Sequence, residues 1–260
     1  MTNFENQSSS RLLDFWNDRS RLDYLAGTND FVAKELEMRT LSQYFSDGLK
    51  VLEVGCGNGI AAIELAKRVG VSITGIDFSP GMIEAAQERL AAQKDMKGSV
   101  RFCVGDVRDV STIECDYDIA YTERVIINLP DWVEQGNAIR AILEKLKPGG
   151  KYLMCENSAD GLDGINELRT AVGLPAIAAP WHNRYLRDAE VAQLVTDGAK
   201  LSAVIAYSSS YYIISRVVNA WLAKREDREP AYDAPINQLG LMLPSIGEVG
   251  QGKLWVWERV

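Results

Sequence analysis

Apolar positions recur in two different rhythms along the chain. Residues 1–45 carry helical spacing: Leu12, Leu13, Phe15, Trp16 and Leu22 form one stripe, then Phe31, Leu36, Met38, Leu41 and Tyr44 a second. Gly27 separates the stripes, and Thr28, Asn29 and Asp30 are short polar residues of the kind that cap a helix start. From Lys50 onward, short apolar runs alternate with amphipathic stretches, which predicts βαβ units around a parallel sheet. KVLEV is the first predicted strand, followed by a helix from about Ile60 to Val69 and a second strand, VSITGID. The helix SPGMIEAAQERLAAQ begins with Ser79 as N-cap and Pro80 at its first position. VRFCVGD and YDIAYTERVI are the third and fourth strands, and Asp131 caps the helix DWVEQGNAIRAILEKL. KPGG is expected to end that helix, leaving KYLMCEN as the fifth strand.

The rhythm breaks after residue 156. Residues 157–198 are polar and glycine-punctuated, with helical patches GINELRTAV and DAEVAQLVTDG. KLSAVIAYSS reads as a sixth strand, YYIISRVVNAWLAKR as a mostly apolar helix and GKLWVWERV as an alternating terminal strand. The last two strands are expected to close the sheet as a hairpin-like pair.

Composition narrows the classes. With 47% hydrophobic and 25% charged residues, 260 residues bury a core without help from disulfides or metal. A net charge of −8 argues against a nucleic-acid partner, because phosphate contact needs a basic face. Cys56, Cys103, Cys115 and Cys155 form no CxxC pair and His182 is the single histidine, so no metal site is expected. Cys103 and Cys155 sit in apolar runs and read as buried free thiols of a reducing compartment. The polar start MTNFENQSSS lacks the apolar core of a signal peptide, and no apolar run approaches the roughly 20 residues of a membrane span. The expectation is a cytoplasmic protein without membrane contact, as a monomer or a homodimer.

The chemistry concentrates in VLEVGCGNG. Dinucleotide folds place pyrophosphate on a helix start with G-x-G-x-x-G, whereas here Gly59 comes one position too early after Gly55 and Gly57. With its Glu53, this stretch instead strongly resembles the first motif of the class I S-adenosylmethionine (SAM)-dependent methyltransferases. Three further matches follow in order across residues 50–156: Asp77 in ITGIDFSPGMIEAA, Asp106 in FCVGDVRDV, and LKPGGKYLM. The fold expected is therefore α/β: a Rossmann-like, doubly wound sheet of seven strands, mostly parallel with an antiparallel C-terminal strand. Residues 1–45 would form an N-terminal helical lid, 46–156 the SAM-binding core, 157–198 an acceptor-side insert and 199–260 the closing strands with their helix.

The resemblance implies SAM as cofactor and methyl transfer to a small soluble acceptor, at an oxygen or nitrogen nucleophile, by in-line displacement that releases S-adenosylhomocysteine (SAH). Gly55, Cys56 and Gly57 would offer bare backbone to the ligand. Asp77 would accept both ribose hydroxyls, with Phe78 and Met82 on the adenine face or in the core. Asp106 would meet the adenine amino group and the Val107 N–H a ring nitrogen, or Asp106 would only cap a turn. Glu53 would order the glycine loop or lie near the methionine amino group, a structural ion pair being the other reading; Thr122 or Glu123 would hold that amino group through backbone.

On the acceptor side, Arg124 would clamp an acidic group or be spent in a salt bridge, and Asn128 would line the cavity. Asn29 would contact ligand from the lid or cap a helix. Trp181 flanks His182, the candidate general base, whose alternative is a structural histidine. Tyr211, with Tyr207, Tyr212 and Trp221, would line the acceptor cavity or pack a core. Two other functions stay open at this level: a non-catalytic SAM-binding sensor or partner subunit, and a nicotinamide-dependent oxidoreductase, which the glycine spacing disfavours.

Overall fold

Two helices, α1 (Asn3–Arg19) and α2 (Phe31–Ser42), precede the first strand in the computed structural model, which describes residues 3–260. Asp30 caps α2 by accepting the Ala33 N–H at 3.0 Å. The alternating region then runs β1 (Lys50–Val54), α3 (Ile60–Arg68), β2 (Ser72–Asp77), α4 (Pro80–Ala91), β3 (Ser99–Val104), β4 (Tyr117–Glu123), α5 (Trp132–Leu143) and β5 (Leu146–Asn157). Ser79 and Asp131 cap α4 and α5, each accepting a backbone N–H three residues on. The C-terminal part adds α6 (Ala159–Ala171), α7 (Asp188–Ala192), β6 (Ala199–Ile205), α8 (Ser209–Tyr212), a π-helical turn (Ile213–Val218), α9 (Asn219–Arg225), α10 (Leu239–Met242) and β7 (Gly252–Arg259).

The seven strands form one sheet in the order β3-β2-β1-β4-β5-β7-β6. β1 to β5 pair in parallel, and β7 lies antiparallel between β5 and β6. β6 and β7 do pair, but residues 206–251 and several short helices separate them, so the link is no hairpin. Strand residues alternate between two apolar clusters. Leu52, Val54, Ala120 and Met154 pack with α5 and Trp255, whereas Val51, Ile119, Leu153 and Val256 pack with α3. A third cluster, Val32, Ile165, Tyr211, Tyr212 and Val217, joins α2, α6 and the π turn beside the C-terminal strand ends.

Three local expectations change. KPGG ends no helix: α5 stops at Leu143, and Lys147–Gly150 is a bulged stretch of β5, where the register jumps from Tyr117↔Leu146 to Ile119↔Lys151. Gly149 takes φ +77° there, which a bulge tolerates in glycine. Cys155 is buried as expected, but Cys103 is exposed, because β3 is an edge strand covered on one face only. Phe31, assigned to the apolar stripe of α2, is 55% exposed and lies in the cleft described below, while Val32 and Leu41 fill the core. No helix among the described residues is long and apolar enough to cross a membrane, and no cluster of three or more His, Cys, Asp or Glu is arranged to hold a metal ion.

Candidate active site

After β1 the chain turns through Gly55, Gly57 and Gly59, all at positive φ. The three glycines serve different neighbours. A Cβ on Gly55 would stand 2.2 Å from Val125 Cγ2, and one on Gly59 2.6 Å from the Phe102 ring, so these two permit close packing. A Cβ on Gly57 would meet nothing within 4 Å, because Gly57 faces an open cleft. The turn is fixed from behind: the Gly55 and Cys56 N–H groups donate to Ile76 O at 2.7 and 2.9 Å, and the Gly57 N–H donates to Asp77 at 2.9 Å.

That cleft, about 1930 Å³, lies at the C-terminal ends of β1, β2 and β4, where open α/β sheets take their ligands. It exceeds the roughly 300–1,000 Å³ of an ordinary small-molecule pocket, which leaves room for two ligands side by side. Gly55, Cys56, Gly57, Asp77, Phe78 and Met82 line one end, with Asp106 and Val107 beside them. Asp77 is buried and accepts from Gly57 and Ser79; burial pushes its pKa up to about 6 while those two N–H groups pull it down. Asp106 closes on Arg108, accepting its backbone N–H at 2.9 Å and its guanidinium at 2.6 Å.

Four charged side chains knit α2 to the strand ends. Glu37 accepts from Arg124 Nη1 at 2.6 Å, and Lys34 bonds Glu123 and lies 3.5 Å from Glu37. Lys34 loses basicity because burial outweighs its carboxylate neighbours, and the Glu37 carboxyl sits below its usual range because Arg124 and Lys34 outweigh its own burial. Arg124 adopts φ +59°; among the described residues the other four non-glycines at positive φ are all aspartates. A left-handed arginine directly after a strand is strained backbone at the cleft. Glu53 is 3% exposed, and its Oε2 has no hydrogen-bond partner; neither has Glu123 Oε1. Burial drives the Glu53 pKa up to about 8, against the opposing pull of Lys34.

Glu156 shapes the next wall. Its buried carboxylate accepts the N–H groups of Val125, Ile126 and Ile127 at 3.0, 3.1 and 3.4 Å, holding the turn after β4, and burial raises its pKa to about 7. Asn128 donates to Arg124 O at 2.7 Å and accepts from Asn183, so the insert is tied to that turn. At the mouth, His182 packs against Phe15, Trp16 and Trp181 with ring centroids 4.7, 5.9 and 5.3 Å away. Its Nδ1 is buried without a partner, and burial, then Arg19, lowers its pKa.

Most of the expected residues therefore share one cleft, including Asn29, Glu53, Glu123, Arg124, Asn128, Trp181 and His182. Two do not. Thr122 is fully buried, its hydroxyl pairs with Tyr152 at 3.0 Å, and it does not line the cleft. Tyr211 is 1% exposed and donates its hydroxyl to Asp30 inside the third apolar cluster, whereas its neighbour Tyr212 lines the cleft. Arg124 forms the alternative salt bridge, with Glu37 of α2. Lys34, Glu37 and Arg216 are additions that the chain pattern did not single out; Arg216 lines the cleft and bonds Asp30, the expected cap of α2, at 2.5 Å.

Residues 51–150 match the profile of a methyltransferase domain. Over 158 residues the chain is 27% identical to methyltransferase GfsG of Streptomyces halstedii, covering 61% of this chain and 54% of that protein. It is 28% identical over 193 residues to the 27-O-demethylrifamycin SV methyltransferase of Amycolatopsis mediterranei, covering 72% and 66%. The chain thus spans about half to two thirds of these relatives. Magnesium protoporphyrin IX methyltransferase from Synechocystis PCC 6803, solved with bound SAH, has the same fold at a TM-score of 0.59 and 15% identity, with 97% of this chain and 100% of that one covered. The matched domain and the sheet built around it make the chain similar to the class I SAM-dependent methyltransferases.

Proposed function

We propose that the chain transfers a methyl group from SAM to a small soluble acceptor. One observation carries this reading: Gly57 presents bare backbone to a cleft that Asp77 also lines together with Glu53 and Glu123, two buried carboxylates that each keep one Oε atom without a partner. An unpartnered buried carboxylate oxygen is costly unless a donor arrives. SAM carries an ammonium and a sulfonium, and SAH keeps the ammonium. Glu53 and Glu123 supply the complement to that charge, and Asp77 keeps free lone pairs for ribose hydroxyls. Phe78, Met82 and Val107 would pack on the base, and Asp106 would meet its amino group by turning from Arg108.

When bound, SAM supplies an activated methyl whose leaving group is a neutral thioether. The chain need stabilise no departing anion, and its work is orientation, which can contribute on the order of 7–11 kcal/mol. The ion pairs of α2 with Glu123 and Arg124 fix one wall, and the aromatic cluster of α1 with the insert shields the mouth as a lid. His182 removes the acceptor proton in this reading, as a neutral imidazole whose buried Nδ1 is unclaimed. Relatives are named as a 27-O-demethylrifamycin SV methyltransferase, a ubiquinone biosynthesis O-methyltransferase and a demethylmenaquinone methyltransferase, which supports a small acceptor.

The test is transfer from methyl-tritiated SAM into a metabolite extract, with SAH release followed in parallel. Acceptor-dependent label supports the proposal. Binding of SAM with no transfer across many extracts would favour a non-catalytic SAM-binding protein instead.

A further inference from the structure

Both signs of charge line the cleft, with Asp30 and Glu37 beside the arginines they pair and Arg108 beside Asp106. Glu53, Asp77, Asp106 and Glu123 line the end near the glycine turn. Among the described residues from 135 to 260 that line it, none is acidic, although the whole chain carries a net charge of −8. That wall holds Arg216 and the rings of Tyr185, Tyr207, Tyr212 and Tyr232. Arg216 stands on the π-helical turn, an insertion that re-aims side chains and recurs at functional sites. Its guanidinium lies 4.5 Å from the Tyr232 ring centroid and 5.0 Å from that of Tyr212. Asp30 holds one nitrogen at 2.5 Å and Ser215 another at 3.0 Å.

A guanidinium has five donors in a planar fork, and two anchored nitrogens orient it without exhausting them. Arg124 is anchored in the same way from α2, by Glu37 on Nη1. Both guanidiniums act on the same two phenols, Tyr185 and Tyr212, which places them around one space. The result is two part-buried ion pairs, Arg216 with Asp30 and Arg124 with Glu37, whose arginines keep donors toward a space with aromatic walls, next to an acidic seat for a cationic cofactor.

We infer that this end of the cleft is an acceptor subsite for a planar, aromatic molecule bearing a carboxylate, with Arg216 as the residue that selects the negative charge. The inference rests on the methyl-transfer reading and narrows its acceptor class. The carboxylate is an anchor here, and the atom that receives the methyl group is a separate part of the acceptor. Tyr212 and Tyr232 stack on the ring system, and Arg216 takes the carboxylate through its remaining donors.

The experiment loads the full chain with SAH, then titrates benzoate, naphthoate and anthracene carboxylate against their primary amides by calorimetry. SAH heat in the first step tests the cofactor reading by itself; without it, that reading fails and this one with it. With SAH bound, at least one acid should bind about tenfold or more tightly than its amide, the range for a hydrogen bond to a charged group. Arg216→Gln should erase the preference, Arg216→Lys should keep part of it, and Tyr232→Leu, at an exposed ring, should weaken acid and amide alike. If SAH binds but every acid matches its amide, or none binds, the subsite proposal is overturned. It is overturned equally if R216Q keeps the preference.

Discussion

Glu37 on α2 holds the guanidinium of Arg124, the first residue after β4, with Nη1 2.6 Å from Oε1. The contact joins positions 87 residues apart and bolts an N-terminal helix onto the sheet edge where the cleft opens. Glu37 is 2% exposed and Arg124 sits at φ +59°, so the carboxylate stabilises both a buried charge and a strained backbone.

Glu37→Gln should therefore destabilise the protein by about 3 kcal/mol, the lower part of the range for breaking a buried pair, because Arg124 keeps access to the cleft. Urea unfolding measures this directly. A loss below about 0.5 kcal/mol would mean that the pair holds nothing in place.

Gly55→Ala and Gly57→Ala should part company. Both force a left-handed alanine, at about 1–2 kcal/mol. Only the Gly55 variant also drives a methyl into Val125, so it should lose several kcal/mol and unfold on mild heating. Gly57→Ala should stay folded and lose SAH affinity at least about tenfold, because its methyl enters the open cleft. Equal thermal stability of the two variants would refute these separate roles.

How much of this was legible in the sequence depends on the reach of each interaction. Ser79, Asp131 and the glycine turn act within a few residues, and their patterns place the caps and the loop correctly. Asp77, Glu53 and Arg124 are strand-end residues, so strand boundaries alone bring them to one cleft. Lys34, Glu37 and Arg216 escape, because the partners that hold them at the cleft lie 87 to 186 residues away and no local spacing encodes those contacts. Tyr211 and Tyr212 are adjacent on α8 and both pack in the third cluster, yet only Tyr212 also reaches the cleft, which tertiary packing alone decides. KPGG misleads for a different reason: Pro and Gly mark a bulge as readily as a helix end.

Glu53 gives a pH signature. Its folded pKa, about 8, lies above the ordinary carboxyl value, so the native state holds a proton that the unfolded chain has already released. Its contribution to apo stability should fall as pH rises from about 4.5 to 8, and Glu53→Gln should flatten that part of the profile. A cation bound beside Glu53 pulls its pKa down, so SAM should expel up to one proton near pH 7. Titrations in buffers of different ionisation enthalpy read this release; identical heats in all of them would exclude it.

His182 titrates below its ordinary range, since burial and Arg19 both oppose the imidazolium. As a base it should give a rate that rises with pH through that lowered pKa and is flat above pH 7. His182→Ala and His182→Asn should each cost about 10²–10⁴ in turnover. Unchanged turnover would leave His182 a packing residue of the mouth.

Calorimetric titration of the purified chain with SAM and SAH tests the central claim most directly. One molecule of either should bind per chain, with thermal stabilisation that Asp77→Asn and Gly57→Ala both diminish. No heat and no thermal shift with either molecule would contradict the account.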